Sequence, residues 1–274
     1  MNELVLREPL ATLWRQRDAF TQAQGLDGVV VRDKEGRQTI RCDIAGEVFY
    51  RKFHHGVGWR EILKNWLSLR APVVDASNEW FAIEKLRALG ISTLEAVAYG
   101  RRGSNPATRK SFLITRELSG ALSTAEFTQS WPVAPPPLAL RLAMIARMAW
   151  IARRIHEHGI NHRDLYLCHF LLDLSRGEES LKAGNVDFYL VDLHRAQMRT
   201  RVPWRWRVKD VASIYFSALD IGLTRKDVLR FLRAYYQRPL REILRTEARF
   251  LTQVKRRARK LYIRDFGREP VFPL

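Results

Sequence analysis

The chain has 274 residues, of which 46% are apolar, so it is long enough for one large or two small hydrophobic cores. Its 47 Lys and Arg against 29 Asp and Glu give a formal net charge of +18, which predicts an anionic partner: nucleic acid, a membrane face or a phosphorylated substrate. We expect no disulfide framework from two cysteines, and neither membrane crossing nor secretion, because the sequence has no apolar span of membrane length and no leader.

Three short apolar segments near the amino terminus predict β-strands at residues 29–33, 39–44 and 48–53. The turn between the first two contains one glycine, Gly36, where a phosphate-binding loop would contain several. Phosphate binding by backbone amides there would therefore be looser, or it would use Arg37 and Lys34. Lys52 lies near the end of the third strand, and taken alone it would be interpreted as a solvated lysine.

A helix is predicted next, at residues 76–89, because apolar residues recur there at helical spacing. Glu79 lies one turn into this helix and Glu84 lies further along, so either could pair with Lys52. Another apolar segment, at residues 112–118, completes a strand-rich first part of the chain.

A long amphipathic helix is predicted at residues 137–158, and Gly159 offers a left-handed end to it. We expect Met144, Met148 and Trp150 to pack in a core, since apolar residues at helical spacing are usually buried.

Two motifs directly after this helix carry the strongest chemical signal. The first is His162-Arg163-Asp164, and the second is Asp192, which follows an apolar strand at residues 188–191. Phosphoryl transfer needs one carboxylate at the acceptor hydroxyl and another that holds Mg²⁺ on the ATP phosphates. The spacing is typical of that pair in protein kinases, so Asp164 is predicted as the base, with Arg163 beside it, and Asp192 as the metal ligand.

The residues at two positions differ from the protein-kinase pattern. His169 lies where that pattern has a metal-binding Asn, and Leu193-His194 follow Asp192 in place of Phe-Gly. Because neutral imidazole is a poor ligand for Mg²⁺ beside hard oxygen, we expect His169 to contact phosphate or to orient Asp164.

The order of these elements predicts an α+β, bilobal protein-kinase-like fold. A small strand-rich nucleotide-binding lobe would span residues 1–117, and a mainly helical catalytic and acceptor-binding lobe would span residues 118–274. In this fold Lys52, paired with Glu79, and Arg37 would bind ATP. Asp210, which we expect to head a helix, would cap the backbone of the catalytic loop or act as a plain N-cap.

Two basic clusters concentrate the positive charge. The first falls where kinases bind the acceptor, and its arginines are Arg199, Arg201, Arg205 and Arg207. Trp204 and Trp206 lie between them and suit a sugar ring or a lipid interface. The second cluster, residues 255–260, continues a helix predicted at residues 240–262, and a solvated helix face explains it as well as lipid contact does.

The chain resembles the lipopolysaccharide core heptose(I) kinase family nearly end to end. The sharpest signatures are residues 159–164, 168–172 and 192–197, and weaker ones lie at residues 8–14, 64–70 and 221–224. The resemblance implies that His169 and Asp192-Leu193-His194 are family features. It also implies ATP with Mg²⁺, and phosphate transfer to the 4-hydroxyl of the first heptose of the inner core, with Asp164 as base. Sugar kinases that act on Kdo share the architecture and are an alternative.

This family assignment implies a lipopolysaccharide core-lipid A acceptor, met at the anionic cytoplasmic face of the inner membrane. We therefore expect a cytoplasmic enzyme with peripheral membrane association. An acidic protein that binds the basic surface is a further partner that the sequence leaves open. A basic nucleic-acid-binding or scaffold protein is a second hypothesis, but the sequence contains no recognition module, so we expect no nucleic acid partner. A small-molecule kinase of the aminoglycoside type is a third, although a charge of +18 suits a cationic drug poorly.

Overall fold

The computed structural model describes residues 2–34, 36–56, 58–67 and 75–273. The side chain of Lys34 and most of the signature at residues 64–70 lie outside the described part. The chain forms two compact units: the first comprises Met1–Lys85, Leu94–Ser119 and Leu193–Arg195, and the second comprises Leu86–Thr93, Gly120–Asp192 and Ala196–Leu274. The domain boundary between residues 117 and 118 stays a prediction.

A six-stranded antiparallel sheet dominates the first unit. Its strands are β1 (Glu3–Leu6), β2 (Val29–Lys34), β3 (Arg37–Ile44), β4 (Glu47–His54), β5 (Ala96–Arg102) and β6 (Lys110–Arg116), in the order β1-β5-β6-β4-β3-β2. Alternate residues of β3 and β4, among them Ile40, Cys42, Phe49 and Phe53, are buried, as the period of two requires. The strands predicted around residues 29–53 are confirmed.

The helices of this unit are α1 (Leu10–Leu13), α2 (Ala19–Gln24), α3 (Gly58–Leu67) and α4 (Ser77–Ala88). The last of these is the helix predicted at residues 76–89. Trp80 and Ile83 of α4 are buried, and the Trp80 ring stacks on Tyr99 with 5.2 Å between ring centroids. This packing fixes the helix face that carries Glu79.

The second unit contains two small sheets, and their strands flank the His162-Arg163-Asp164 loop and the loop of Asp192. Strands β7 (Ala121–Ser123), β9 (Phe170–Asp173) and β10 (Phe188–Leu190) form one, and β8 (Ile160–Asn161) pairs with β11 (Gln197–Met198) in the other. Phe170 lies opposite Leu190 in the antiparallel β9–β10 pair. The end of the His162-Arg163-Asp164 loop and the residues before Asp192 are therefore neighbours.

The remaining helices are α5 (Thr124–Phe127), α6 (Leu138–Glu157), α7 (Glu178–Lys182), α8 (Trp204–Ser217), α9 (Arg225–Tyr236), α10 (Leu240–Thr246) and α11 (Ala248–Phe266). Helix α6 confirms the prediction for residues 137–158, and Met144 and Met148 are buried as expected. The unit is mainly helical, whereas the first is strand-rich, so the α+β class is confirmed. Among the described residues, no helix combines the length and the apolar character that a bilayer crossing requires.

Two helix predictions are wrong. Asp210 does not head a helix, because α8 begins six residues earlier, after Pro203. The helix predicted at residues 240–262 is two helices, since the backbone leaves helical geometry at Glu247, with φ −104° and ψ 13°. Arg238 pairs with both Glu242 and Glu247, at 3.0 and 2.7 Å, and this contact holds the break in place.

Gly159 ends α6 with a φ of +76°, as the sequence predicts, and it is crowded as well. A Cβ at this position would lie 1.7 Å from the carbonyl oxygen of Arg199, which cannot retreat because Arg199 N–H donates to Gly159 O at 2.8 Å. We expect Gly159→Ala to lower the free energy of unfolding by about 3 kcal/mol or more, measured by chemical denaturation.

Gly267 provides the matched control. It has a φ of +67°, but a Cβ added there would meet no other atom of the described chain within 4 Å. Gly267→Ala should therefore cost only the left-handed strain of about 1–2 kcal/mol. Equal losses in the two variants would contradict the close approach at Gly159.

Candidate active site

The buried carboxylate of Asp210 anchors the His162-Arg163-Asp164 loop. It accepts the backbone N–H of His162 at 2.7 Å and that of Arg163 at 2.8 Å. Arg163 has a φ of +76°, a region that non-glycine residues occupy only when their surroundings hold them there. Of the two roles that the sequence leaves open for Asp210, capping of the catalytic loop is the one observed, and the N-cap alternative is wrong.

Asp210 is itself held by a buried histidine. His156 Nε2–H donates to its carboxylate at 3.2 Å, and the hydroxyl of Tyr235 donates to His156 Nδ1 at 2.8 Å. Helices α6, α8 and α9 each supply one of these three residues. A buried carboxylate is stable only when its oxygens are satisfied, and here two backbone amides and one imidazole satisfy them.

Asp164 is contacted by a lysine that the sequence analysis did not select. Lys209 Nζ lies 3.3 Å from Asp164 Oδ1, and both side chains are largely buried. Lys209 precedes Asp210 in α8, so the helix that anchors the loop also brings a positive charge to its aspartate. The only signal in the sequence is this adjacency to Asp210, which spacing alone does not connect with residue 164.

His169 bridges the two acidic positions. Its Nδ1 lies 2.6 Å from the carbonyl oxygen of Asp164, and its Nε2 lies 3.3 Å from Asp192 Oδ2. Burial opposes the charged form of His169, but hydrogen bonds with the Cys168 side chain and the Asp164 carbonyl, together with the charge of Asp192, raise its pKa to about 9. The protonated ring donates from Nδ1 to the Asp164 carbonyl oxygen and forms an ion pair with Asp192.

The buried side chain of His162 connects the same two loops. Its ring is buried, which lowers its pKa, and the neutral ring donates from Nε2 to the carbonyl oxygen of Val191 at 2.9 Å. Val191 N–H in turn donates to His169 O at 3.0 Å. Asp192 follows at a φ of +60°, so its position is fixed by these cross-links.

Asp192 fits a role at Mg²⁺ through its donor chemistry. Mg²⁺ is usually held by one or two carboxylates together with water and substrate phosphates, so no cage of protein ligands is needed. Within the described ranges, no group of three or more His, Cys, Asp or Glu side chains could hold a metal ion. The Asp192 carboxylate is 37% exposed, so it is accessible to a cation from solvent.

The predicted ATP contacts lie in the first unit. Lys52 Nζ and Glu79 Oε1 are 2.6 Å apart, whereas Glu84 is bound by Arg7 at 2.6 Å. The structure therefore selects Glu79 over the alternative partner. Arg37 lies opposite His54 in the β3–β4 pair. Binding of ATP by Lys52, Glu79 and Arg37 stays a prediction.

The four arginines predicted to bind the acceptor do not form one group. Arg199 donates to Asn161 Oδ1 at 3.1 Å and to Gln197 Oε1 at 2.7 Å. Arg207 donates to the hydroxyl of Tyr235 at 3.3 Å and packs over the Phe250 ring, while Arg201 and Arg205 are exposed. Acceptor binding by these residues stays a prediction.

The second unit also contains an apolar cavity of about 470 Å³ that the sequence did not reveal. It lies among helices α6, α8, α9 and α11. Its lining includes Met144, Met148, Ile214, Phe231, Leu232 and Leu251. Met144 and Met148 thus belong to a core, as predicted, but to a core that leaves space for an apolar ligand.

Comparison with known proteins gives consistent results. Residues 21–235 match the lipopolysaccharide kinase (Kdo/WaaP) family. A relative from Pseudomonas aeruginosa, named lipopolysaccharide core heptose(I) kinase WaaP, is 48% identical over 95% of this chain and 96% of its own length. One of the same name from Escherichia coli is 46% identical over 93% of this chain and 96% of its own. A solved structure described as WaaP in complex with acyl carrier protein has a TM-score of 0.83 and 44% identity, and the match covers 95% of this chain and 99% of that one.

The anchoring role of Asp210 can be tested without an activity assay. In Asp210→Asn an amide N–H₂ replaces one acceptor oxygen, so one of the two loop amides loses its partner. We expect the free energy of unfolding to fall by about 1–3 kcal/mol. Hydrogen exchange at the amides of His162 and Arg163 should accelerate more than elsewhere in the second unit.

Asp220→Asn is the matched control, because that carboxylate is half exposed and its contacts are the Tyr262 hydroxyl, at 2.8 Å, and the Arg268 guanidinium, at 3.6 Å. Asp220→Asn should change the free energy of unfolding by no more than about 0.5 kcal/mol. A similar loss of unfolding free energy in both variants, with unchanged hydrogen exchange at the amides of His162 and Arg163, would contradict the anchoring role of Asp210.

Proposed function

Since this chain belongs to the lipopolysaccharide kinase (Kdo/WaaP) family, we propose that it is an ATP-dependent kinase of the first heptose of the lipopolysaccharide inner core, acting on the 4-hydroxyl. The chain is a phosphotransferase, as its family is. Relatives at 44–48% identity are named heptose(I) kinases, which favours heptose over Kdo as acceptor. The observation that carries the proposal is the pair of cross-linked loops that present Asp164 and Asp192.

Asp164 is proposed as the general base. Its carboxylate would accept the proton of the heptose hydroxyl while that oxygen forms a bond to the γ-phosphorus of ATP and the bond from the γ-phosphorus to the bridging oxygen of ADP breaks. Lys209 Nζ, 3.3 Å from Asp164 Oδ1, holds the carboxylate in position. Asp210 and His169 hold the main chain of the loop, so the base does not need to reorganise during transfer.

The nucleotide would be bound by Lys52, which Glu79 orients at 2.6 Å, and by Arg37. Asp192 would hold Mg²⁺, which when bound neutralises charge on the ATP phosphates. The protonated ring of His169 forms an ion pair with Asp192, with 3.3 Å between Nε2 and Oδ2, and would help to position that carboxylate. Arg163 lies in the same loop and adds positive charge beside Asp164.

We further propose that the enzyme works at the anionic cytoplasmic face of the inner membrane, where the core-lipid A acceptor would be met. The net charge of +18 supports this location, because a surface of anionic lipids attracts exposed Lys and Arg. In α11, Lys255, Arg256, Arg257, Arg259 and Lys260 are exposed and form a basic face. Trp204, which is 44% exposed, suits a lipid interface.

A protein partner is also proposed. The solved relative is described in complex with acyl carrier protein, and we propose that this chain binds one too. The apolar cavity of about 470 Å³ supports the idea, because an acyl chain is the part of such a partner that an apolar cavity would accept. Each methylene buried there would contribute about 0.8 kcal/mol.

The role of the base predicts the kinetics of Asp164→Asn. The amide cannot accept the proton, so turnover with core lipopolysaccharide as acceptor should fall by about 10² to 10⁴. Binding of Mg-ATP, measured by calorimetry, should persist. Asp173→Asn is the control, since Asp173 lies in β9 and accepts the backbone N–H of Ser175, and its turnover should stay within about twofold of the parent. Near-normal turnover in a folded Asp164→Asn would remove Asp164 from the mechanism.

The cavity predicts a size-dependent loss of carrier binding. Leu251→Trp places a larger side chain at the cavity wall, so affinity for acylated carrier protein should fall at least about tenfold, whereas affinity for the unacylated carrier should not change. Leu138→Trp makes the same substitution at a site that is 61% exposed, and it should leave both affinities unchanged. If Leu251→Trp leaves acylated carrier binding intact, the cavity does not receive the acyl chain.

A further inference from the structure

Four cationic side chains of the second unit gather around the indole of Trp206. The distances from its ring centroid are 5.1 Å for Arg163 Cζ, 5.8 Å for Arg199 Cζ, 5.4 Å for Arg205 Cζ and 5.9 Å for Lys209 Nζ. Each distance is within the range of a cation–π contact. These five residues are called the Trp206 cluster below.

The cluster concentrates positive charge in a way that folding alone does not favour. The four cations repel one another, and the carboxylate of Asp164, 3.3 Å from Lys209 Nζ, offsets only part of that repulsion. Arg199 is held by the neutral amide oxygens of Asn161 and Gln197, so its hydrogen bonds do not cancel its charge. Such a concentration of charge is favourable when an anion binds to it.

A buried donor in the cluster supports the same conclusion. Trp206 Nε1 is inaccessible to solvent and has no hydrogen-bond partner among the residues that the structure describes. Most buried N–H groups in folded proteins are paired, so the unpaired indole N–H is an additional donor within the cluster. The forks of Arg163, Arg199 and Arg205 match the oxygens of a carboxylate or a phosphate.

The cluster also adjoins the proposed base. Lys209 belongs to both, because its Nζ lies 3.3 Å from Asp164 Oδ1 and 5.9 Å from the Trp206 ring centroid. An acceptor whose hydroxyl reaches Asp164 would therefore place its neighbouring groups at the cluster.

We propose that the Trp206 cluster is the binding site for an oxyanion of the acceptor, a carboxylate or a phosphate carried close to the hydroxyl that is phosphorylated. This inference rests on the proposed function and makes it more specific: the enzyme selects acceptors that are already anionic. It also revises the set of predicted acceptor-binding arginines. Arg199 and Arg205 stay in the set and Arg163 joins it, because all three contact Trp206. Arg207, which packs on Phe250, and the exposed Arg201 leave it.

The first test compares two exposed arginines of one segment. Arg205→Gln removes a charge from the cluster, and Arg201→Gln removes the same charge from a residue for which no ring contact is seen in the described chain. Acceptor binding is measured by titration calorimetry without ATP. We expect about tenfold weaker binding for Arg205→Gln and a change within about twofold for Arg201→Gln. The KM for ATP should not change in either variant.

The second test identifies the oxyanion. The parent and Arg205→Gln are titrated with three acceptors: native core lipopolysaccharide, the same material with its carboxylates reduced to alcohols, and the same material dephosphorylated. The acceptor that lacks the bound group should bind the parent about tenfold more weakly, and it should no longer distinguish Arg205→Gln from the parent.

Three results would overturn the inference: native acceptor binding unchanged in Arg205→Gln, an equal loss in Arg201→Gln, or a difference between parent and Arg205→Gln that survives both chemical treatments. Phosphate transfer by the parent is measured separately. If Arg205→Gln and the treated acceptors bind more weakly as expected but the parent transfers no phosphate to heptose, the proposed function fails and the oxyanion site stands. If the parent transfers phosphate but binding does not weaken in this way, the proposed function stands and the site is wrong.

Discussion

The carboxylate of Asp210 is the contact on which the rest of the site depends. It is buried, so its charge is tolerable only because the amides of His162 and Arg163 and the ring of His156 all donate to it. Through these bonds one helix, α8, fixes the loop that carries Asp164. The same helix supplies Lys209 to Asp164 and Trp206 to the cation cluster, so one element brings the anchor, the lysine and the indole together.

His169 explains how the chain departs from the protein-kinase pattern while keeping its spacing. The Asn of that pattern offers an oxygen to a metal. His169 instead donates to the Asp164 carbonyl oxygen and forms an ion pair with Asp192. The position therefore contributes orientation and positive charge. These contacts of His169 and the hydrogen bond from His162 to Val191 connect the loop of Asp164 with the loop of Asp192.

The sequence predicted those features that depend on local spacing. The β2, β3 and β4 strands, α4, α6 and the left-handed Gly159 follow from period and turn chemistry, and the two motifs follow from residues close together in the chain. Contacts between distant segments were not accessible in this way. Nothing local connects Lys209 with Asp164, or separates Arg205 from Arg207, which point to different partners although they are two residues apart in one helix. The cavity likewise depends on the packing of helices that are far apart in the chain.

Phosphorylation of the first heptose can be measured directly. The parent protein is incubated with Mg-ATP and core lipopolysaccharide that lacks core phosphate, and any added phosphate is located by tandem mass spectrometry. We expect one new phosphate per molecule on the first heptose, dependent on ATP. Phosphate found on Kdo, or ATP consumed with no phosphate on the core, would contradict it.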